Sequence, residues 1–347
     1  MQPIRIGVIS ASSMARSHMA AIITNPNAKL MAICDIDLAK AQRVAAELGV
    51  AQTFRDYQDM LATDIDAVVV CTPDQIHPEQ TIASLRAGKH VLCEKPMAMT
   101  VAECNMMITA AKDADKQLMV GQVCRFAPGF ALARQLINQG RIGELFFVES
   151  EYAHDYTHSA GVGEWRKDPV RLRYPVVGGG CHAVDLLRWI AGNPTEVTAY
   201  ANHKVMTSWP VDDCTVALLR FPKDVIGKVF VSIGCKRDYT MRSVFYGTKG
   251  TIIADNTSPY ITIFQESIAE NEHVFPNIAE QTVRMQYPVS IDSHNVTSEI
   301  RYFVNCLMQG KPVEMDGREG AATVAVCNAI VQSVQEKRAV TVEYLQD

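Results

Sequence analysis

Ile4-Arg5-Ile6-Gly7-Val8-Ile9-Ser10-Ala11-Ser12-Ser13-Met14-Ala15 reads as an apolar strand, a tight turn of small residues and the start of a helix. A strand that turns into a helix N-terminus offers backbone N–H groups to a phosphate. The glycine pattern of such turns, Gly-x-Gly-x-x-Gly, is altered here. Serine takes the first two glycine places at Ser10 and Ser12, and Ala15 takes the third. A hydroxyl adds little bulk and can donate to phosphate, so a diphosphate is expected over Ser12, Ser13 and Met14. The competing reading is a plain helix N-cap by Ser12 or Ser13.

Outward from this opening, strands alternate with amphipathic helices through residue 122. Strands are expected at Ile4–Ile9, Lys29–Cys34, Ala67–Cys71, His90–Cys93 and Gln117–Gly121. Helices are expected at Met14–Thr24, Leu38–Leu48, Pro78–Ala87 and Val101–Ala114. Runs such as Ala67-Val68-Val69-Val70 are apolar throughout, which suits a parallel sheet covered on both faces. Repeated βα units predict a doubly wound α/β domain over residues 1–122. Asp35 ends the second strand, where an acid holds the adenosine ribose hydroxyls and repels a 2′-phosphate. NAD is therefore expected over NADP. Thr72 and Pro73 end the next strand beside the cofactor crevice, and His77 follows one turn on.

His90 to Cys93 delivers Glu94-Lys95-Pro96 to a strand's carboxyl end, where ligands of open α/β sheets bind. Proline biases Lys95 toward an extended backbone. An ammonium held in such a crevice is placed for proton transfer. The alternative is a solvated Glu94–Lys95 ion pair.

After Gln122 the texture changes. A helix (about Pro128–Asn138) leads to a strand at Phe146–Tyr152 and a Gly/Pro/Arg-rich loop from about Ala153 to Val177. A second helix runs from His182 to Gly192. Strands without intervening helices follow at Glu196–Ala201, Cys214–Phe221, Gly227–Ile233, Ser243–Tyr246, Thr251–Ala254 and Ile261–Phe264, a largely antiparallel sheet. Helices at about Ser298–Met308 and Glu319–Lys337 close a second domain, 123–347.

The 347 residues are 48% hydrophobic and 20% charged with a net charge of −5, which gives no support to nucleic-acid or membrane partners. No run reaches the roughly 18 apolar residues of a membrane span. The strand at Ile4 leaves no room for a signal sequence. Ten cysteines without metal spacing read as reduced core thiols, so the expected compartment is the cytoplasm. The sequons at Asn256 and Asn295 are then chance matches.

Several motifs together resemble the glucose-fructose oxidoreductase / inositol dehydrogenase (Gfo/Idh/MocA) family. They are Thr72-Pro73 with His77, Ala87-Gly88-Lys89-His90-Val91 before Glu94-Lys95-Pro96, Arg125-Phe126-Ala127-Pro128 and Gly140-Arg141-Ile142-Gly143-Glu144. Trp165-Arg166-Lys167-Asp168-Pro169 and Gly178-Gly179-Gly180-Cys181-His182-Ala183-Val184-Asp185 complete the set. The resemblance covers nearly the whole chain. It implies a Rossmann domain and a C-terminal α/β domain whose open sheet serves oligomerisation, giving a homo-oligomer, dimer or tetramer. It also implies hydride transfer between NAD and a secondary alcohol of a sugar, sugar derivative or cyclitol. Lys95 would be the catalytic lysine and His182 the acid/base. Asp185 would orient His182 or bind a substrate hydroxyl. Glu94, Lys95 and Gln122 would join the cofactor wall, and Arg125 would face the cleft. Many relatives carry an aspartate four residues before the histidine; here that place is Gly178. Same-fold readings are an NAD-dependent glycosidase and a non-catalytic dinucleotide-binding regulator.

Two further groups bear on substrate. Trp165 and Arg166 are candidates to clamp substrate or the nicotinamide end. His154-Asp155-Tyr156-Thr157-His158 gathers an acid and two histidines, but four-residue histidine spacing binds metal well only on a helix. This segment reads as loop, so His154 and Tyr156 are expected to touch substrate, and no metal is expected.

Overall fold

The computed structural model describes residues 2–157, 164–266 and 282–346. Its first half contains β1 (Ile4–Ile9), α1 (Ser13–Ile23), β2 (Ala28–Cys34), α2 (Leu38–Leu48), β3 (Gln52–Phe54) and α3 (Tyr57–Leu61). It continues with β4 (Ala67–Val70), α4 (His77–Arg86), β5 (His90–Cys93), α5 (Val101–Asp113) and β6 (Leu118–Val120). The six strands form one sheet in the order β3-β2-β1-β4-β5-β6, every neighbouring pair parallel. All four residues of β4 are fully buried, as the sequence run requires of a central strand. The helices begin at polar caps: Asp37 accepts the Lys40 N–H of α2, and Thr100 and Glu103 close a capping box on α5.

The second half holds α6 (Pro128–Asn138), β7 (Leu145–Ala153), α7 (Pro175–Gly178) and α8 (Cys181–Ala191). Strands β8 (Glu196–Asn202), β9 (Cys214–Arg220), β10 (Ile226–Ser232), β11 (Thr240–Gly247), β12 (Gly250–Asp255), β13 (Tyr260–Glu266) and β14 (Thr282–Pro288) follow. Helices α9 (Val296–Gln309) and α10 (Gly317–Glu336) precede β15 (Val340–Thr341). The nine-stranded sheet has the order β14-β13-β12-β11-β7-β10-β9-β8-β15 and is antiparallel except for β7 with β10. Helix α8 lies on β7 and β10. The last helices return to the first sheet, α9 against α1 and α10 against α5 and β6.

Five elements were not legible in the sequence: β3, α3, α7, β14 and β15. Each is short or sits at a sheet edge, and β14 alternates exposed with half-buried residues, leaving no apolar stripe to read. Among the described residues all ten cysteines are free thiols. No described helix is long and apolar enough to cross a membrane.

Candidate active site

A cavity of about 420 Å³ opens at the carboxyl ends of β1, β2, β4 and β5. Its wall runs from Asp35 and the Ser10–Met14 turn, past Thr72, Pro73 and His77, to Glu94, Lys95, Trp165 and Arg166. Twelve of the residues expected at the site thus share one cavity.

At the turn, Ser10 has φ 112°, a conformation that favours glycine and that a side chain enters at a cost of about 1–3 kcal/mol. Its hydroxyl offsets part of that strain by accepting the Ser12 N–H at 3.0 Å. Ser12 in turn caps α1, accepting the Ala15 N–H at 3.4 Å. The N-cap and the phosphate turn are therefore one structure, because the Ser13 and Met14 N–H groups belong to the helical turn that lacks carbonyl partners. Asp35 accepts the Ala11 N–H at 2.7 Å, tying the acid to the turn. Lys40 Nζ lies 3.4 Å from the same carboxylate, and Arg55 lines the same cavity. A helix N-terminus, a strand-end acid and a continuous cavity toward Lys95 fit a dinucleotide.

The lysine sits on a buried polar base. Glu94 accepts the Lys95 backbone N–H at 3.0 Å and lies 2.8 Å from His18 Nε2 of α1. Burial opposes its charge, but His18 and Lys95 outweigh that and hold the Glu94 carboxyl below its ordinary value. Glu299 of α9 reaches the same cluster, fully buried, with neither oxygen hydrogen-bonded among the described residues. Burial and the neighbouring Glu94 push its carboxyl well above the usual range, which favours the protonated form. His77 faces the carbonyl oxygens of Thr72 and Pro96, each at 2.9 Å, and braces the two strand-end turns; the Lys95–Pro96 peptide is cis.

The second domain closes over the lysine through its glycine run. A Cβ on Gly179 would strike the Tyr152 ring and one on Gly180 would strike Val231, so only glycine lets α8 start this close to the sheet. Lys95 Nζ donates to the Gly178 carbonyl at 3.3 Å. His182, in the first turn of α8, is 1% exposed, and both its ring nitrogens lack a partner among the described residues. Burial, then Lys95 and His294, push its pKa well below 6.5, so its ring is neutral at pH 7. Beyond it, ring contacts join His182 to His294 (5.1 Å between centroids), His294 to Tyr239 (5.6 Å), Tyr239 to His154 (5.0 Å) and His154 to Tyr156 (4.9 Å).

Three expectations are corrected by this geometry. Asp185 neither orients His182 nor faces the cavity: it is 1% exposed and grips Arg125 through two bonds of 2.7 Å. Thr323 adds a bond of 2.9 Å to the same carboxylate, and Glu319 holds Arg125 at 2.8 Å. Arg125 is thus also turned away from the cleft, its Nε and Nη2 engaged by Asp185 of α8 and Glu319 of α10. Gln122 is buried with its Oε1 unpartnered among the described residues and does not line the cavity. His154 and Tyr156 lie on the ring chain, with Tyr152 Oη between His154 Nδ1 and Tyr156 Oη. His158 lies outside the described residues.

Other site groups carried no sequence signal. The place of the missing acid is filled by Arg173: a Cβ on Gly178 would land on its guanidinium, which pairs with buried Asp74 on the opposite wall. Trp165 is flanked by the guanidinium carbons of Arg166 at 4.3 Å and Arg173 at 5.0 Å. Tyr239 just before β11, His294 just before α9 and Glu299 on α9 come from parts of the chain distant in sequence, which no local spacing announces.

Comparison with known proteins agrees with this architecture. Residues 4–122 match the model of an oxidoreductase family with an NAD-binding Rossmann fold, and residues 130–253 match the GFO/IDH/MocA C-terminal domain. The chain is 26% identical to the myo-inositol 2-dehydrogenase of Thermotoga maritima, with 98% of each covered. It is 28% identical to the inositol 2-dehydrogenase of Rhizobium meliloti, covering 98% of this chain and 99% of that one. A crystal structure of an oxidoreductase domain protein from Kribbella flavida superposes with a TM-score of 0.87 at 26% identity, over 99% of this chain and 100% of that one. With the models of both family domains matched over residues 4–122 and 130–253, the chain belongs to the Gfo/Idh/MocA family of oxidoreductases.

Proposed function

We propose that the chain is an NAD-dependent dehydrogenase that oxidises a secondary alcohol of a cyclitol or sugar, or runs that reaction in reverse. The observation that carries the reading is His182, a buried neutral imidazole whose two nitrogens are unpartnered among the described residues and whose positive form is opposed by Lys95, a residue of the cavity wall. Bound NAD supplies the hydride acceptor at its nicotinamide ring. His182 accepts the hydroxyl proton, since its lone pair is free at neutral pH. The Lys95 ammonium stabilises the alkoxide as charge develops on oxygen. Glu94 and His77 hold the turn that aims the lysine. Tyr239, His154 and Tyr156 offer aromatic faces and polar edges suited to a polyol ring. The inositol 2-dehydrogenases among the relatives favour a cyclitol as the first substrate to try. Asp35 favours NAD at the adenosine end, with Lys40 and Arg55 moderating the preference.

Outward-facing Tyr200 of β8 and Val216 of β9 pair across the second sheet, with Leu218 further along β9, all apolar and exposed. Self-association through this face is part of the proposal.

The test is a cyclitol deuterated at its carbinol carbon. Direct transfer places the deuterium on the nicotinamide ring of the NADH formed, as read by mass spectrometry. Label appearing in solvent, or turnover without net NADH, would overturn the dehydrogenase reading.

A further inference from the structure

We propose that Cys124, His182 and His294 form a thiolate–imidazole site for zinc, and that filling it switches the enzyme off. One ligand atom from each residue lies within 4.8 Å of the other two. In tetrahedral zinc, bonds of about 2.0–2.3 Å separate neighbouring ligand atoms by roughly 3.5 Å, so a small side-chain rotation closes the set. The three come from separate elements. Cys124 lies on the short helical turn Val123–Phe126 after β6, His182 on the first turn of α8, and His294 just before α9.

Three independent features favour a metal here. His182 is buried with both nitrogens unpartnered among the described residues, an arrangement that calls for a ligand. His294 Nδ1 lies 3.0 Å from Ser293 Oγ, which fixes the ring and leaves Nε2 to bind. One thiolate and two imidazoles select zinc or a similar borderline ion over magnesium or calcium, which take oxygen. Half-buried His294 leaves a route from solvent. Three protein ligands leave a fourth position for water.

Zinc at this point inhibits rather than assists. It engages the lone pair with which His182 would accept the hydroxyl proton, and Lys95 already supplies the positive charge that a metal would lend to an alkoxide. Coordination forms the zinc–sulfur bond and releases the Cys124 thiol proton to solvent, so binding tightens as pH rises. The inhibition rests on the proton-acceptor reading of His182; the binding does not.

Cobalt(II), whose thiolate charge-transfer band is visible, separates the two. Titrated into the full chain without NAD, it should give that band at one equivalent per chain, lost in both Cys124→Ser and His294→Ala. Zinc should lower wild-type turnover reversibly, with a chelator restoring it. Cys124→Ser should keep most zinc-free turnover while needing at least about tenfold more zinc for half inhibition. Absence of the band, equal inhibition of Cys124→Ser, or activation by zinc would overturn the proposal. The cobalt band decides the site whether or not a cyclitol turns over.

Discussion

Replacing Asp185 by alanine removes the centre of a buried ion network while leaving the cavity wall untouched. The carboxylate accepts two Arg125 bonds of 2.7 Å and one from Thr323 of 2.9 Å, and Arg188 Nη1 lies 3.7 Å away. Its loss leaves two largely buried guanidinium groups short of a counter-charge. Breaking a buried pair from one side typically costs about 3–5 kcal/mol, mostly the stranded charge. Glu319, with its side chain 40% exposed and 2.8 Å from Arg125, keeps part of the compensation, which places the expected loss near the lower end, about 3 kcal/mol. With a urea slope of about 3 kcal/mol/M, the unfolding midpoint should fall by about 1 M. Trp189 reports the change, because Arg125 and Arg134 sit at 5.7 and 4.4 Å from its ring. KM for the alcohol should stay unchanged in the folded variant. An unmoved midpoint with KM raised tenfold would refute this account and return Asp185 to the substrate site.

Asp35→Ala should narrow the preference for NAD over NADP, with Lys40 and Arg55 then free to meet a 2′-phosphate; isothermal titration with both cofactors reads the change. Glu299→Gln, which mimics the protonated acid, should fold and turn over nearly as the parent does, whereas Glu299→Ala leaves a cavity beside Glu94 and should lose about 2 kcal/mol or more in urea unfolding. Burial and Lys95 lower the His294 pKa to about 4, below its unfolded value near 6.5. The unfolded chain therefore binds the extra proton first, and the stability that His294 contributes at neutral pH should be lost as pH falls from 6.5 toward 4. Thermal melts of wild type and His294→Gln across that window check the sign: the variant should lose less.

Much of the first domain was legible because fully buried parallel strands write continuous apolar runs, as in Ala67–Val70. The Glu94-Lys95-Pro96 and Gly178–Asp185 stretches were legible as motifs. Asp185 misled, since three-residue helical spacing places it beside His182 in sequence, whereas the partner that claims it, Arg125, arrives from another element. The Arg173–Asp74 pair and the His182–His294 contact depend on which loops the two sheets bring together, and a single chain of letters carries no sign of that.

The most direct measurement is NADH formation from NAD and myo-inositol or another cyclitol, followed at the nicotinamide absorbance in wild type and Lys95→Ala. The account predicts turnover in the wild type, a fall of about a hundredfold or more in the variant, and NAD affinity nearly the same in both. A Lys95→Ala enzyme that turns over at close to the wild-type rate would contradict it.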